Sequence, residues 1–301
     1  MISGLKIPEK YQRYLRIGTC SWKYDSWKGL VYDPERKYAP HDYLADYARV
    51  FNTVEIDQWF WSLFPQGAKL PNSMTVKRYA DSVPDDFLFT VKAPNSITLT
   101  HYYTKRPPAS KEYANRPNPY FLDIGLLNSF LETLEPMKSK LGPIMFQFEY
   151  LNKKKMPSKK AFLERLDAFF ERAPKGFDYA VETRNPNYLA EDFFAFLRNR
   201  SLGFVMLEGY YMPPIADVVA EHDVLTAEFS IIRLHGPDRQ AIEARTGGLW
   251  GEIVDPKDEG LEATASIIEE NTSRRITTFV NVNNHYEGSA PLTIQRLLRL
   301  V

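Results

Sequence analysis

A single cysteine, Cys20, stands in 301 residues. One cysteine cannot close an internal disulfide and cannot build a thiolate zinc cluster. Five histidines, scattered along the chain, give no pattern for a multi-zinc site. Lysine plus arginine and aspartate plus glutamate both number 38, so there is no basic excess. A protein whose main work is gripping a phosphate backbone usually carries one. No apolar run is long enough to span a bilayer. The opening stretch, MISGLKIPEKYQRYLRIG, lacks the apolar centre of a signal peptide. A G-x-G-x-x-G turn, a Walker loop and a G-x-S-x-G elbow are all missing. The expectation is a cytosolic globular protein with no membrane partner, no assigned metal and no cofactor that a motif identifies.

What the chain does have is alternation. Eight β-rich runs recur: RIGTCS (16–21), TVEID (53–57), FLFTVKA (87–93), GPIMFQFE (142–149), DYAVETR (178–184), GFVMLE (203–208), SIIRLHG (230–236) and ITTFVNVNN (276–284). Amphipathic stretches lie between them, such as HDYLADYARVF, where Leu44, Tyr47, Ala48 and Phe51 share one helical face. Strands alternating with helices imply a parallel sheet, and eight of them close a (β/α)8 TIM-like barrel at this length. A doubly wound open sheet is the alternative, disfavoured by the missing Gly-rich turn after the first strand. One domain over 1–301 is expected, with an N-terminal extension over about residues 1–14. The connections 94–124 and 235–260 are too long for plain linkers. Both follow strand ends, which places them on the C-terminal face as candidate lids.

Polar residues break into the strands at that same end. Glu55 and Asp57, Lys92, Gln147 and Glu149, Glu182 and Arg184, Arg233 and His235, and Asn283 with Asn284 stand there. Strand side chains alternate faces, so residues two apart share one. The neighbours Val54, Ile56, Val91, Phe146, Val181, Ile232 and Leu234 are apolar and would pack on the helices. The polar set would then point into the barrel mouth, where active sites of this fold sit. Burying charge costs several kcal/mol per ion even when paired, so a purely stabilising core would use Val and Leu. Glu55, Lys92, Glu182, Arg184 and His235 are therefore the candidate catalytic groups. If water and ligand share that space, Glu182→Gln should cost little stability.

The loop CSWKYDSWKGLVYDP after the first strand carries Trp22, Tyr24, Trp27 and Tyr32. Trp22, Tyr24 and Trp27 are expected to wall the mouth, facing a sugar or base. Tyr32, Phe60 and Trp61 are expected to be packing residues. Asp57, His101, Gln147, Arg233, Asn283 and Asn284 complete the expected binding set. Gly288 and Ser289, before the last helix, would offer N–H groups to a phosphate. The opposing reading of Ser289 is a plain helix cap before Pro291.

Several of these pieces together resemble the YecE-like family, domain of unknown function 72. They are IGTCSWKYDSWKGLVYDP, FNTVEID, FLFTVKAPNSITLTH, KLGPIMFQFE, VETRN, IIRLHG and NNHYEGSAP, in that order. The resemblance spans about Ile17 to Pro291 and implies a TIM-like barrel, but no activity. Glu55, Lys92, His101, Gln147, Glu182, Arg184, Arg233, His235, Asn283 and Asn284 match the family pattern. Trp59–Trp61 replace its usual Thr-Phe-Tyr, Tyr188 stands near a usual Trp, and Val282 replaces a Phe.

Three chemistries fit the set. Sugar hydrolysis would use Glu55 and Glu182 as a carboxylate pair roughly 5–9.5 Å apart. Metal-assisted chemistry would put one Mg2+ or Mn2+ on Glu55, Glu182 and His235. A lyase or isomerase could use Lys92 as a Schiff-base amine, against the simpler expectation of a Lys92–Glu55 ion pair. The partner is expected to be a small sugar-like or phosphorylated molecule. The rival class is a non-catalytic nucleotide or single-stranded nucleic-acid binder, helped by Tyr102, Tyr103, Lys105, Arg106, Tyr113 and Arg116.

Overall fold

The computed structural model describes residues 5–40, 42–103 and 112–301. Eight strands close a barrel: β1 (Leu15–Cys20), β2 (Thr53–Ile56), β3 (Leu88–Lys92), β4 (Leu141–Gln147), β5 (Tyr179–Glu182), β6 (Gly203–Gly209), β7 (Phe229–Gly236) and β8 (Thr277–Val282). Each pairs in parallel with its sequence neighbours, and β1 closes on β8 through Leu15–Thr278 to Thr19–Val282. The closure excludes the open-sheet alternative.

Eight helices follow the eight strands: α1 (Asp42–Tyr47), α2 (Ser73–Asp81), α3 (Ile124–Leu134), α4 (Lys159–Arg172), α5 (Glu191–Asn199), α6 (Ile215–Glu221), α7 (Asp258–Ser273) and α8 (Ala290–Leu297). Their starts are chemically marked. The side chains of Asn72, Asp123 and Ser158 accept from Met74 N, Leu126 N and Ala161 N, each satisfying a donor the helix leaves orphaned. The two long connections carry short helices of their own, Asn95–Thr98 and Arg239–Thr246. Lys105 and Arg106, counted toward a nucleic-acid surface, lie outside the described residues.

Strand alternation divides the core in two. Val54, Ile56, Val91, Phe146, Val181, Ile232 and Leu234 all join the large core between sheet and helices, as their positions predict. The opposite face builds a separate cluster within the barrel: Met145, Ala180, Val205, Phe229, Ile231 and Phe279. Thr90 and Asn281 also face inward and are tied by an Asn281 Nδ2 to Thr90 Oγ1 hydrogen bond of 3.0 Å. One strand position further along, the inward residues become Glu55, Lys92, Gln147, Glu182 and Arg233. The barrel is thus dry and apolar low down and charged at its C-terminal end.

The tryptophans of the loop after β1 do not wall the mouth as expected. Trp22 is 3% exposed and Trp27 is fully buried. Trp22 meets Tyr79 of α2 edge-on at 5.1 Å. Trp27 packs on Tyr24 at 4.6 Å and Tyr32 at 6.3 Å, and Tyr32 meets Tyr43 of α1 at 4.9 Å. The Tyr32 hydroxyl donates to the Trp22 carbonyl, which pins the loop. The short helix α1 offers little apolar surface of its own, so this ring stack becomes the packing layer on that side. Tyr32 and Phe60 are buried, as expected for packing residues, whereas Trp61 is 41% exposed.

Candidate active site

Arg233, near the end of β7, plugs the barrel. Its guanidinium is 1% exposed and holds Glu55 with two bonds, Nε to Oε2 at 2.7 Å and Nη2 to Oε1 at 2.6 Å. Its Nη1 donates to Glu182 Oε2 and, at 3.3 Å, to Gln147 Oε1. One planar fork therefore crosses from β7 to β2, β4 and β5, which only arginine geometry allows. Arg184 closes the chain, donating to Glu182 Oε1 from Nε at 2.7 Å and Nη2 at 2.6 Å. The guanidinium of Arg184 lies over the Tyr210 ring, 4.1 Å from its centroid. Arg184 is the outermost member, 16% exposed against none for Glu182.

Electrostatics follow from this packing. Burial would raise the Glu182 carboxyl, but Arg184, then Arg233 and Lys92 together outweigh it and hold the group below its ordinary value. Arg233 is driven the other way: burial works against its charge, yet Glu182 and Glu55 hold it firmly protonated. A general acid needs a raised pKa. Glu182 has the opposite, and both oxygens of Glu55 are taken by Arg233. The two carboxylates expected to form a hydrolytic pair are countercharges of a buried arginine.

Lys92 and His235 are differently placed. The expected Lys92–Glu55 ion pair is not made, and among the described residues Lys92 forms no ion pair. Its Nζ sits 3.9 Å above the face of Phe60, and the residue is 8% exposed. Burial, then repulsion from Arg233, lowers its pKa against the pull of Glu55, Asp57 and Glu182. His235 is 6% exposed and pushed well below its ordinary value, by burial first and then by Arg233, Arg184 and Lys92. Its Nδ1 lies 3.3 Å from the Tyr210 hydroxyl and its Nε2 lies 3.5 Å from Cys20 Sγ. Gly236 follows with φ +74°, and a Cβ there would come within 2.5 Å of the His285 carbonyl. Only glycine fits that turn, which fixes the end of β7 and the His235 ring with it.

Asp57 stands just past β2, half-buried. Burial raises its carboxyl, with Lys92 the largest opposing influence. Tyr24 also reaches the mouth: burial, then Asp57 and Cys20, keeps its hydroxyl protonated. An open pocket of about 750 Å³ lies on the β5–β6 side of the mouth. Tyr150, Arg184, Tyr210 and the almost fully exposed Tyr211 line it. The aromatic wall is therefore made of tyrosines after β4 and β6, not of the tryptophans after β1.

The other expected binding residues divide. His101 Nδ1 pairs with Thr100 Oγ1 at 2.9 Å, and Thr100 Oγ1 in turn lies 3.5 Å from Glu149. Asn283 Oδ1 accepts from His285 N at 2.9 Å, and Asn284 Oδ1 from Ala290 N at 2.9 Å, so both shape the β8 turn. The turn expected to cradle a phosphate is largely engaged by the protein itself. Ser289 is fully buried, and the Gly288 N–H already donates to Asn284 O at 2.8 Å. A buried carboxylate, Glu287, sits beside them, accepting from Lys257 N at 2.7 Å and Thr293 Oγ1 at 2.8 Å and pairing with Arg296. A phosphate there would meet a like charge, although the Ser289 hydroxyl and the Asn284 side-chain amide are buried without a partner among the described residues.

Cys20 was not among the expected site residues. It ends β1 on the inward face, and its thiol lies 3.5 Å from both Glu55 Oε2 and His235 Nε2. Its inward parity with Glu55 and His235 was the available signal. These three donor atoms lie within 4.8 Å of one another. A cation among them would share Glu55 with the Arg233 guanidinium and face Lys92 as well. Burial, then Glu55, raises the thiol well above its ordinary value, which favours the protonated form.

The neutral His235 has a testable consequence. Its folded pKa lies below that of an unfolded histidine, about 6.5. Below that pH the unfolded chain binds a proton that the folded one refuses, so stability is full above it and is lost as pH falls. The expected slope from this residue is about 1.4 kcal/mol per pH unit. Urea unfolding followed from about pH 7.5 to about pH 5.5 should show a shallower slope in His235→Gln than in the wild type. Equal slopes would mean that His235 takes up its proton in the folded state.

A closed (β/α)8 barrel whose mouth is plugged by an arginine and two carboxylates, with a lysine and a histidine beside them, defines the class. The sequence matches the family described as "Protein of unknown function DUF72" over residues 16–301, and the chain belongs to that family. It is 24% identical to the UPF0759 protein YecE of Escherichia coli K12 over 253 residues, 78% of each chain. Its fold is similar to crystal structures of two DUF72 family proteins. One, from Thermotoga maritima MSB8, has a TM-score of 0.65 at 22% identity, covering 95% of this chain and 98% of that one. The other, from Enterococcus faecalis V583, has a TM-score of 0.63 at 16% identity, covering 95% and 96%. Among the described residues no helix is long and apolar enough to cross a membrane.

Proposed function

We propose that this protein is an enzyme acting on a small, polar, sugar-like molecule at the C-terminal mouth of the barrel. One observation carries the reading. The arginines neutralise Glu55 and Glu182, while Lys92 and His235 stand in the same mouth without an ion-pair partner among the described residues and with their charged forms disfavoured. A structural network would have paired them; an amine and an imidazole whose charged forms are disfavoured are suited to proton transfer.

In this reading the ligand rests against the Arg184–Tyr210 stack, with its apolar face on the tyrosines and its hydroxyls toward Arg184. The Tyr210 hydroxyl lies between that pocket and His235 Nδ1. It can relay a proton from the pocket to the buried imidazole. The chemistry favoured is proton movement beside a carbonyl, as in an isomerase or lyase, over hydrolysis by a carboxylate pair. The nucleic-acid alternative gains nothing from the described rim, where Arg116 pairs with Glu112 and lies over Tyr113.

The test is saturation-transfer NMR with a panel of aldoses, ketoses and their phosphates on wild type, Arg184→Leu and His235→Gln. Arg184→Leu is expected to lose binding, whereas His235→Gln should keep it and lose turnover. Lys92→Met should remain folded and gain about 1 kcal/mol, because an amine whose charge the site disfavours is removed. Binding indifferent to Arg184, or no binding from the whole panel, would overturn the reading.

A further inference from the structure

We infer that Lys92 is a covalent catalyst that forms an imine with the carbonyl carbon of a small hydroxy-aldehyde or hydroxy-ketone. The inference deepens the proposed function and rests on it. Lys92 ends β3 on the inward face of the barrel, and its amine stands over an aromatic ring instead of against a carboxylate. The placement is unusual for a structural lysine. Glu55 and Glu182 lie in the same mouth, but Arg233 and Arg184 already occupy them. Gln147, on the neighbouring strand β4, is turned to Arg233 too. The acceptors Glu55, Glu182 and Gln147 are thus engaged by arginine, which leaves Asp57 as the carboxylate that acts on Lys92 without an arginine on it.

That arrangement suits a nucleophile. An imine-forming lysine must offer its lone pair, so it needs a site that disfavours its charge without removing polar help. Arg233 supplies the like charge and Phe60 the apolar floor. Buried surroundings and Arg233 shift Lys92 toward the free amine. Asp57, whose carboxyl is raised by burial and which interacts electrostatically with Lys92, can carry protons. The step balances without a further reactant. The Nζ lone pair forms the C–N bond while the carbonyl π pair moves onto oxygen. The two amine protons pass, through Asp57, to that oxygen. The oxygen leaves as water with the C–O pair, and the remaining nitrogen pair closes the C=N bond. An imine draws electrons from the adjacent carbon, where His235, through Tyr210, can take up a proton.

The probe is dihydroxyacetone, with sodium borohydride to reduce any imine to a stable amine, followed by peptide mapping. Each unit by which a lysine's pKa falls raises its free-amine fraction near pH 7 about tenfold. Lys92 should therefore be labelled faster than the surface lysines, and first among them. Lys92→Arg should show only the slow surface background, and Lys92→Met the same. A label spread over surface lysines with Lys92 unmodified would overturn the inference. Saturation-transfer NMR with dihydroxyacetone on Lys92→Met separates the two levels: binding retained there without any Lys92 adduct in the wild type sinks the imine and leaves the proposed function standing. Neither binding nor labelling sinks both.

Discussion

Arg233→Met is expected to lower the unfolding free energy by about 3–5 kcal/mol, because it leaves two buried carboxylates without a countercharge. Glu55 and Glu182 are both fully buried, and each faces the Arg233 fork. Methionine fills much of the volume but donates nothing. Both carboxylates must then take up protons or draw in water, and the barrel mouth loses the group that ties β7 to β2 and β5 across its centre. Arg233→Lys should recover little of the loss, since one ammonium cannot serve Glu55 with two bonds and reach Glu182 as well. The measurement is urea unfolding of the two variants beside the wild type. A loss below about 1 kcal/mol in Arg233→Met would show that the carboxylates are solvated, as only exposed pairs are worth so little. The companion double variant Arg233→Met with Glu55→Gln should be more stable than Arg233→Met alone, because it removes one stranded charge.

The barrel was legible because its signals are local and repeated. Each strand combines an apolar outward set with inward residues that turn polar at one end, and Ile232–Arg233–Leu234–His235 displays that in four positions. Parity alone placed Glu55, Lys92, Gln147, Glu182, Arg233 and His235 on the inward face. It could not say which charge pairs with which. The Lys92–Glu55 pair was the natural expectation for adjacent strands, but Arg233 reaches across the barrel and takes both Glu55 oxygens, a long-range contact that no spacing encodes. The aromatic loop failed for a related reason. Trp22 and Trp27 lie in a loop over the mouth, yet a loop residue has no parity to fix its direction. Both rings turned toward the helical layer, where Tyr79, Tyr32 and Tyr43 give them partners. Gly288 and Ser289 resembled a phosphate cradle in sequence, and only the burial of Glu287 beside them shows that the protein supplies its own anion.

Glu182→Gln is the second large effect, and it reverses the sequence expectation of a small cost. Glu182 is fully buried and both of its oxygens are in ion pairs, Oε1 with Arg184 and Oε2 with Arg233. Glutamine keeps the shape, but it removes the charge and offers one acceptor where two arginines converge. Arg184 can turn partly to solvent; Arg233 cannot. The expected loss near neutral pH is about 3–5 kcal/mol, the range for breaking a buried pair from one side. The pH dependence distinguishes this from a simple packing defect. The folded carboxyl is held below its unfolded value of 4.5, with Arg184, Arg233 and Lys92 outweighing burial. Its contribution is therefore fully present above pH 4.5 and is lost as pH falls through the lower, folded value. The gap between wild type and Glu182→Gln should be widest near neutrality and should narrow on acidification, because only the wild type has that proton to gain. Unfolding curves for both proteins, taken across this range, decide it. A gap that stays constant with pH would mean the charge of Glu182 contributes nothing, and a gap absent at every pH would restore the open, solvated mouth that the sequence had implied.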